Sequence, residues 1–202
     1  ICSNGQQLIL GEPPALRIPI NNTLLAFQAV ALLLDRLKID DVFNYSTLSK
    51  VFEGTYIPGR LEKLALPQEI YLDVGHNPHA ANYLKHFLEE CRADGKLIQV
   101  VYSSLEDKDV ASLVSIVAPV VDFWLLAPLD NERALSLANL ESLVGERAEN
   151  VLSFKSVSKA IDYAILQHNS HKDNASPENE LITLIFGSFY IIEAAKKYFE
   201  GI

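Results

Sequence analysis

The stretch Tyr71–Leu84, YLDVGHNPHAANYL, decides how this chain is read. A short apolar run ends in Asp73. Gly75, His76 and an Asn77-Pro78 step follow, and apolar residues then recur at helical spacing. The same alternation continues to the end of the sequence. Strands are expected at Tyr71–Val74, Leu97–Tyr102, Val121–Ala127, Val151–Phe154 and Leu181–Phe186. Helical patterns separate them at Pro78–Arg92, Lys108–Val117, Leu135–Val144 and Ser156–His168, with a final helix at Ser188–Phe199. Alternating strands and helices predict an α/β domain with a mostly parallel sheet. The strands are continuously apolar, as expected when both faces of the sheet are covered.

The 202 residues suffice for one sizeable domain, or for one domain plus a piece of another. With 49% hydrophobic and 21% charged residues, the balance is that of an ordinary globular protein. A formal net charge of −9 argues against a general nucleic-acid or membrane-surface binder. The two cysteines, Cys2 and Cys91, form no metal-like spacing and read as reduced structural thiols of a cytosolic protein. The longest apolar stretches, LLAFQAVALLL at 24–34 and LITLIFGSFYII at 181–192, fall well short of the ~20 residues of a membrane span. The chain starts at Ile1 and contains no methionine, so it is expected to be a fragment or a processed form.

Before residue 57 the texture differs. Residues 1–20 are rich in turns and compatible with short edge strands. NNTLLAFQAVALLLDRL then reads as a buried helix with Asn21 or Asn22 as its N-cap. YSTLSKVFEG reads as a second, short helix stopped by Gly54. Far downstream, HNSHKDNASPENE at 168–180 reads as a polar, exposed loop.

In an open parallel sheet, ligands bind at the carboxyl ends of the strands. Three groups collect there: Asp73, His76 and Asn77; Ser103 to Asp109, SSLEDKD; and Phe186 to Phe189, FGSF. Each has a plainer reading. An Asp-x-x-His after a strand is more often a turn or a cap than a site. Gly187-Ser188 can be a turn with an N-cap, or a helix N-terminus that receives an anion. Asp107 can cap the helix after it, with Lys108 and Asp109 solvated. His79, His86, His168 and His171 have no metal spacing and read as surface residues. Just before the alternating part, YIPGRLE at 56–62 makes a tight Pro-Gly turn that Arg60 leaves with an always-charged head.

Taken in order, Pro58-Gly59-Arg60, the string from Asp73 to Ala80, LEDKD and GSF resemble the carboxyl-terminal half of the folylpolyglutamate synthases. The resemblance is in particular to the bacterial form that is also a dihydrofolate synthase, within the Mur-ligase superfamily. LRIPINNTLLAFQAVALL is similar to the segment in which an Asn opens a helix near the end of that family's central ATPase domain. Gly75 stands where relatives commonly carry Ala, a change expected not to matter.

The resemblance implies a Rossmann-like carboxyl-terminal domain at 57–202, preceded at 1–56 by the tail of a central ATP-binding domain. It implies ATP and Mg²⁺ as cofactors, with the Mg²⁺ ligands outside this chain. The substrates would be L-glutamate and dihydropteroate or folate, and the enzyme a cytoplasmic monomer. Residue by residue, Asn22 matches an ATP contact, Arg60 the arginine that reaches the phosphates, and Asp73 a nucleotide contact through ribose. His76 and Ser188 match positions near the transferred phosphate and the incoming glutamate. The chemistry would be formation of an acyl phosphate and its capture by an amine. The sequence departs from the family in having no G-x-x-x-x-G-K-[ST] phosphate loop, so the chain alone is expected to be inactive. Two rivals are a Mur ligase of peptidoglycan precursors and a non-catalytic α/β binding module of receiver type. The His-Asn-Pro-His string and the Gly-Ser-Phe ending favour the folate branch over the first. The strand ends lack a receiver's acidic cluster and lysine.

Overall fold

The computed structural model describes residues 2–3, 6–7, 20–39, 50–51, 57–174 and 180–201. The chain divides into two compact units, Ile1–Arg60 and Leu61–Ile202.

In the first unit, β1 (Cys2–Ser3) and β2 (Gln6–Gln7) form an antiparallel pair, and α1 spans Ile20–Leu37. Two expectations change here. Helical backbone at Asn21 and Asn22 carries both past the capping position, because the helix already starts at Ile20. The helix is also not buried: Leu24, Leu25, Leu32, Leu33 and Leu37 are exposed. Lys50 and Val51 are helical, while Gly54 lies outside the described residues.

The second unit is a three-layer α/β/α domain. Its strands are β3 (Glu62–Lys63), β4 (Glu69–Asp73), β5 (Leu97–Tyr102), β6 (Phe123–Leu126), β7 (Val151–Ser153) and β8 (Leu181–Phe186), in the order β3-β4-β8-β5-β6-β7. All neighbours run parallel except β3, which is antiparallel to β4. The α/β class and mostly parallel sheet are therefore as expected. Helices α2 (Pro78–Ala93), α3 (Val110–Val117) and α4 (Leu137–Gly145) cover one face. Helices α5 (Val157–Asn174) and α6 (Phe189–Glu200) cover the other.

Side-chain alternation feeds both layers from one strand. Ile98, Val100 and Tyr102 of β5 join α2 and α3, whereas Val101 joins α5 and α6. Helix α2 contributes Ala81, Leu84, Leu88 and Cys91 at helical spacing, all buried. Leu84 and Leu88 are fully enclosed, and burial of a leucine is worth about 1.5–3 kcal/mol. Burial also pushes the Cys91 thiol up to about 11, as fits a structural thiol.

Three further expectations are corrected. Strand β3 is too short and polar to show in the sequence; pairing of Glu62 with Leu72 and Lys63 with Tyr71 creates it. Helix α5 continues through Asn174, six residues past its expected end at His168, because elongating a formed helix costs little. His168, expected at the surface, is buried on this extension. Its Nε2 lies 2.8 Å from Thr183 Oγ1 in β8, and Gln99 Nε2 donates to the same hydroxyl at 2.7 Å and to the Ala164 carbonyl at 3.0 Å. His79 and His86 are exposed as expected. No helix among the described residues is long and apolar enough to cross a membrane.

Candidate functional site

Strand register builds the site. Asp73 stands opposite Phe186, and Phe186 opposite Tyr102, so β4, β8 and β5 end in one row. The segments leaving that row are Val74–Asn77, Gly187-Ser188 and Ser103–Asp109. These are the three groups expected at the strand ends.

Asp73 is almost completely buried, at 2% exposure. Its Oδ1 accepts from the Gly75 amide at 2.6 Å, and its Oδ2 accepts from the Leu61 amide at 2.9 Å. A carboxylate suits this place because it only accepts hydrogen bonds. The contact explains Gly75 and corrects one expectation. A Cβ there would stand 2.8 Å from Asp73 Oδ1 and 3.1 Å from Ala80 Cβ, so alanine is not neutral in this chain.

His76 is half-buried, with Nδ1 2.8 Å from the Val74 carbonyl. A carbonyl only accepts, so Nδ1 carries the proton in that contact and Nε2 is left as the acceptor. The ring lies 6.5 Å, centroid to centroid, from Phe189, the residue after Ser188. Asn77 caps α2, its Oδ1 accepting from the Ala80 amide at 2.9 Å, with Pro78 in the first turn.

Ser188, also buried, caps α6: its Oγ accepts from the Ile191 amide at 3.2 Å, which leaves its O–H free to donate. Gly187 before it has φ +124°, and a Cβ there would lie 2.0 Å from the Ser103 carbonyl oxygen. Only glycine lets the end of β8 pass that close to the end of β5. Ser103 Oγ is buried without a hydrogen-bond partner among the described residues. Sequence reasoning grouped Ser103 with its loop but gave it no role.

Asp109, not Asp107, caps α3, accepting from the Ser112 amide at 3.0 Å. Asp107 instead pairs with Lys108 at 2.8 Å and with Arg133 at 3.0 Å. Arg133 belongs to a second loop, which also receives the Glu106 amide at its carbonyl. The LEDKD string thus shapes a loop pair. A separate cavity of about 660 Å³ is lined among others by Asp130, Lys155, Ser156, Tyr190, Glu193 and Lys197.

Asn22 and Arg60 belong to the first unit. Asn22 is exposed in the first turn of α1. Arg60 is exposed in a turn closed by its own amide on the Ile57 carbonyl at 3.1 Å. Its guanidinium has no partner among the described residues. Gly59 has φ +70°, and Leu61 has φ +40°, a left-handed conformation that costs a non-glycine residue about 1–2 kcal/mol. No group of three or more His, Cys, Asp or Glu that could hold a metal occurs among the described residues.

Residues 59–175 match the family described as Mur ligase, glutamate ligase domain. The dihydrofolate synthase/folylpolyglutamate synthase of Buchnera aphidicola subsp. Schizaphis graminum is 31% identical over 89% of this chain and 38% of its own length. The Escherichia coli protein of the same description is 34% identical over 67% of this chain and 29% of its own length. The solved structure of E. coli FolC in complex with DHPP and ADP superposes with a TM-score of 0.71 at 26% identity, covering 95% of this chain and 42% of that one. The chain therefore spans well under half the length of these relatives.

Proposed function

The chain belongs to the Mur ligase glutamate ligase domain family, as a homologue of the folylpolyglutamate and dihydrofolate synthases, and from that premise we propose that it is the carboxyl-terminal part of an ATP-dependent amide ligase. The whole enzyme adds L-glutamate to dihydropteroate, to folate polyglutamates, or to both. Residues 1–56 are the tail of its central ATP-binding domain and 57–202 its carboxyl-terminal domain.

The observation that carries this reading is Arg60. An exposed guanidinium, free of any carboxylate among the described residues, is available for an outside anion. ATP phosphorylates the substrate carboxylate, and the glutamate amine then displaces phosphate from the acyl phosphate. Charge builds on the phosphate oxygens, where a fixed guanidinium stabilises it. His76 stands beside the reacting groups. The Ser188 hydroxyl and the α6 N-terminus suit the glutamate carboxylate. Asn22 and Asp73 contact the nucleotide. ADP bound in the E. coli relative supports a nucleotide site. Mg²⁺ and the phosphate loop are held outside this chain, which alone is expected not to turn over.

Arg60→Ala in the whole enzyme tests the reading. Turnover is expected to fall roughly 100-fold, about 3 kcal/mol of transition-state stabilisation, with an unchanged melting temperature. Normal turnover would remove Arg60 from the site and the reading with it.

A further inference from the structure

We propose that Ser103 supplies a second hydroxyl to the carboxylate site at the start of α6, as a binding residue for the incoming glutamate; the proposal rests on the ligase reading above. Ser103 is completely buried, and its Oγ has no hydrogen-bond partner among the described residues. A hydroxyl shut away from water without a partner costs the fold stability. Alanine has nearly the same size and would avoid that cost. A partner that arrives from outside gives the hydroxyl a use that alanine cannot supply.

The strand ends show where that partner sits. The register that sets Tyr102 opposite Phe186 brings Ser103 beside Gly187, the residue before Ser188. Tyr102 faces α2 and α3, while Val101 and Leu105, two residues to either side of Ser103, join the layer of α5 and α6. Alternation turns Ser103 to that same layer, which also contains Ile191 in the first turn of α6. Ser188, buried as well, accepts from the Ile191 amide and keeps its O–H to donate. The Phe189 and Tyr190 amides, which have no partner within the helix, remain for an acceptor from outside. Two buried hydroxyls, from the ends of β5 and β8, thus flank the N-terminus of a 12-residue helix. A carboxylate has two oxygens and only accepts, so it can take a bond from each hydroxyl while facing the positive end of α6. Such bonds meet no competition from bulk water.

The experiment is Ser103→Ala in the whole ligase, read by amide formation and by melting. The KM for L-glutamate is expected to rise about 10-fold, with kcat and the KM for ATP within about 2-fold of the unmutated enzyme. The melting temperature should be unchanged or higher, because the substitution removes a buried hydroxyl that the unliganded fold leaves unsatisfied. An unchanged KM for glutamate would overturn the proposal. So would a raised KM for ATP alone, which would make the bound anion a phosphate. A melting temperature lowered by more than about 4 °C would overturn it too, by showing that the hydroxyl already has a partner within the fold. None of these outcomes touches the ligase reading. That reading fails, and this proposal with it, if the unmutated enzyme forms no amide from glutamate.

Discussion

Strand β4 carries an acid at each end, and the two are held in opposite ways. Glu69, at its start, meets Lys63 and Lys96, each at 2.7 Å, and accepts from the Tyr71 hydroxyl at 2.8 Å. Burial raises its pKa, but the three partners outweigh burial and pull it down to about 2. Asp73, at the other end, is held by backbone amides and is nearly closed to water. The difference is one of redundancy. When one of Glu69's cations is lost, another remains, and water reaches the rest. When Asp73 is lost, two main-chain N–H groups lose their acceptor, and main chain cannot turn to find another.

Four substitutions test that contrast. The largest effect is expected at the row of strand ends itself: Gly187→Ala drives a Cβ against the Ser103 carbonyl and forces an alanine to φ +124°. It should destabilise by more than about 3 kcal/mol, read as loss of the cooperative melt or a large fall in urea midpoint. Next is Asp73→Ala, expected to cost about 3 kcal/mol because it leaves the Gly75 and Leu61 amides without an acceptor. Gly75→Ala should cost about 1 kcal/mol through its crowding of Asp73 Oδ1, and this cost should shrink when Asp73 is already Ala, the tight contacts with Ala80 and Leu84 remaining. The smallest is Glu69→Gln. Its pKa is depressed on folding, so the stability it contributes is present above about pH 4.5 and is lost as the pH falls toward 2. For a group this exposed, the effect at neutral pH is on the order of 1 kcal/mol after solvent screening. Urea midpoints at pH 7 and pH 3 should differ less in Glu69→Gln than in the unmutated chain. If Glu69→Gln proves costlier than Asp73→Ala, the contrast between the two ends is wrong.

The fold was legible because β5 and β8 are largely apolar runs, each interrupted by one polar residue, Gln99 and Thr183, as suits a sheet covered on both faces. The caps were legible in kind but not always in identity. Asp107 and Asp109 are both plausible capping acids, and the choice falls to Asp109 because Asp107 is drawn away by Arg133. No local pattern contains that pairing. His168 sits in a sequence of polar neighbours, and its burial depends on Thr183 arriving from the next strand. Strand β3 is two charged residues that become a strand only beside β4. At the site, residue types at the strand ends were readable, and so was their order. The occupation of Asp73 by Leu61 was not, because it depends on a left-handed turn built from a leucine rather than from glycine.

The place of β8 has a consequence for how the domain comes into being. It is the last in chain order of the six described strands of this sheet, yet it lies between β4 and β5 near the middle. Until residues 181–186 emerge from the ribosome, β4 and β5 cannot take up their final neighbours, and each presents an edge of unpaired backbone N–H and C=O groups to whatever is near. The growing chain must carry those edges through the synthesis of three helices and two further strands. Pairings this distant in sequence are slow to form, so this domain should be most exposed to aggregation, and most dependent on chaperones, just before β8 is made.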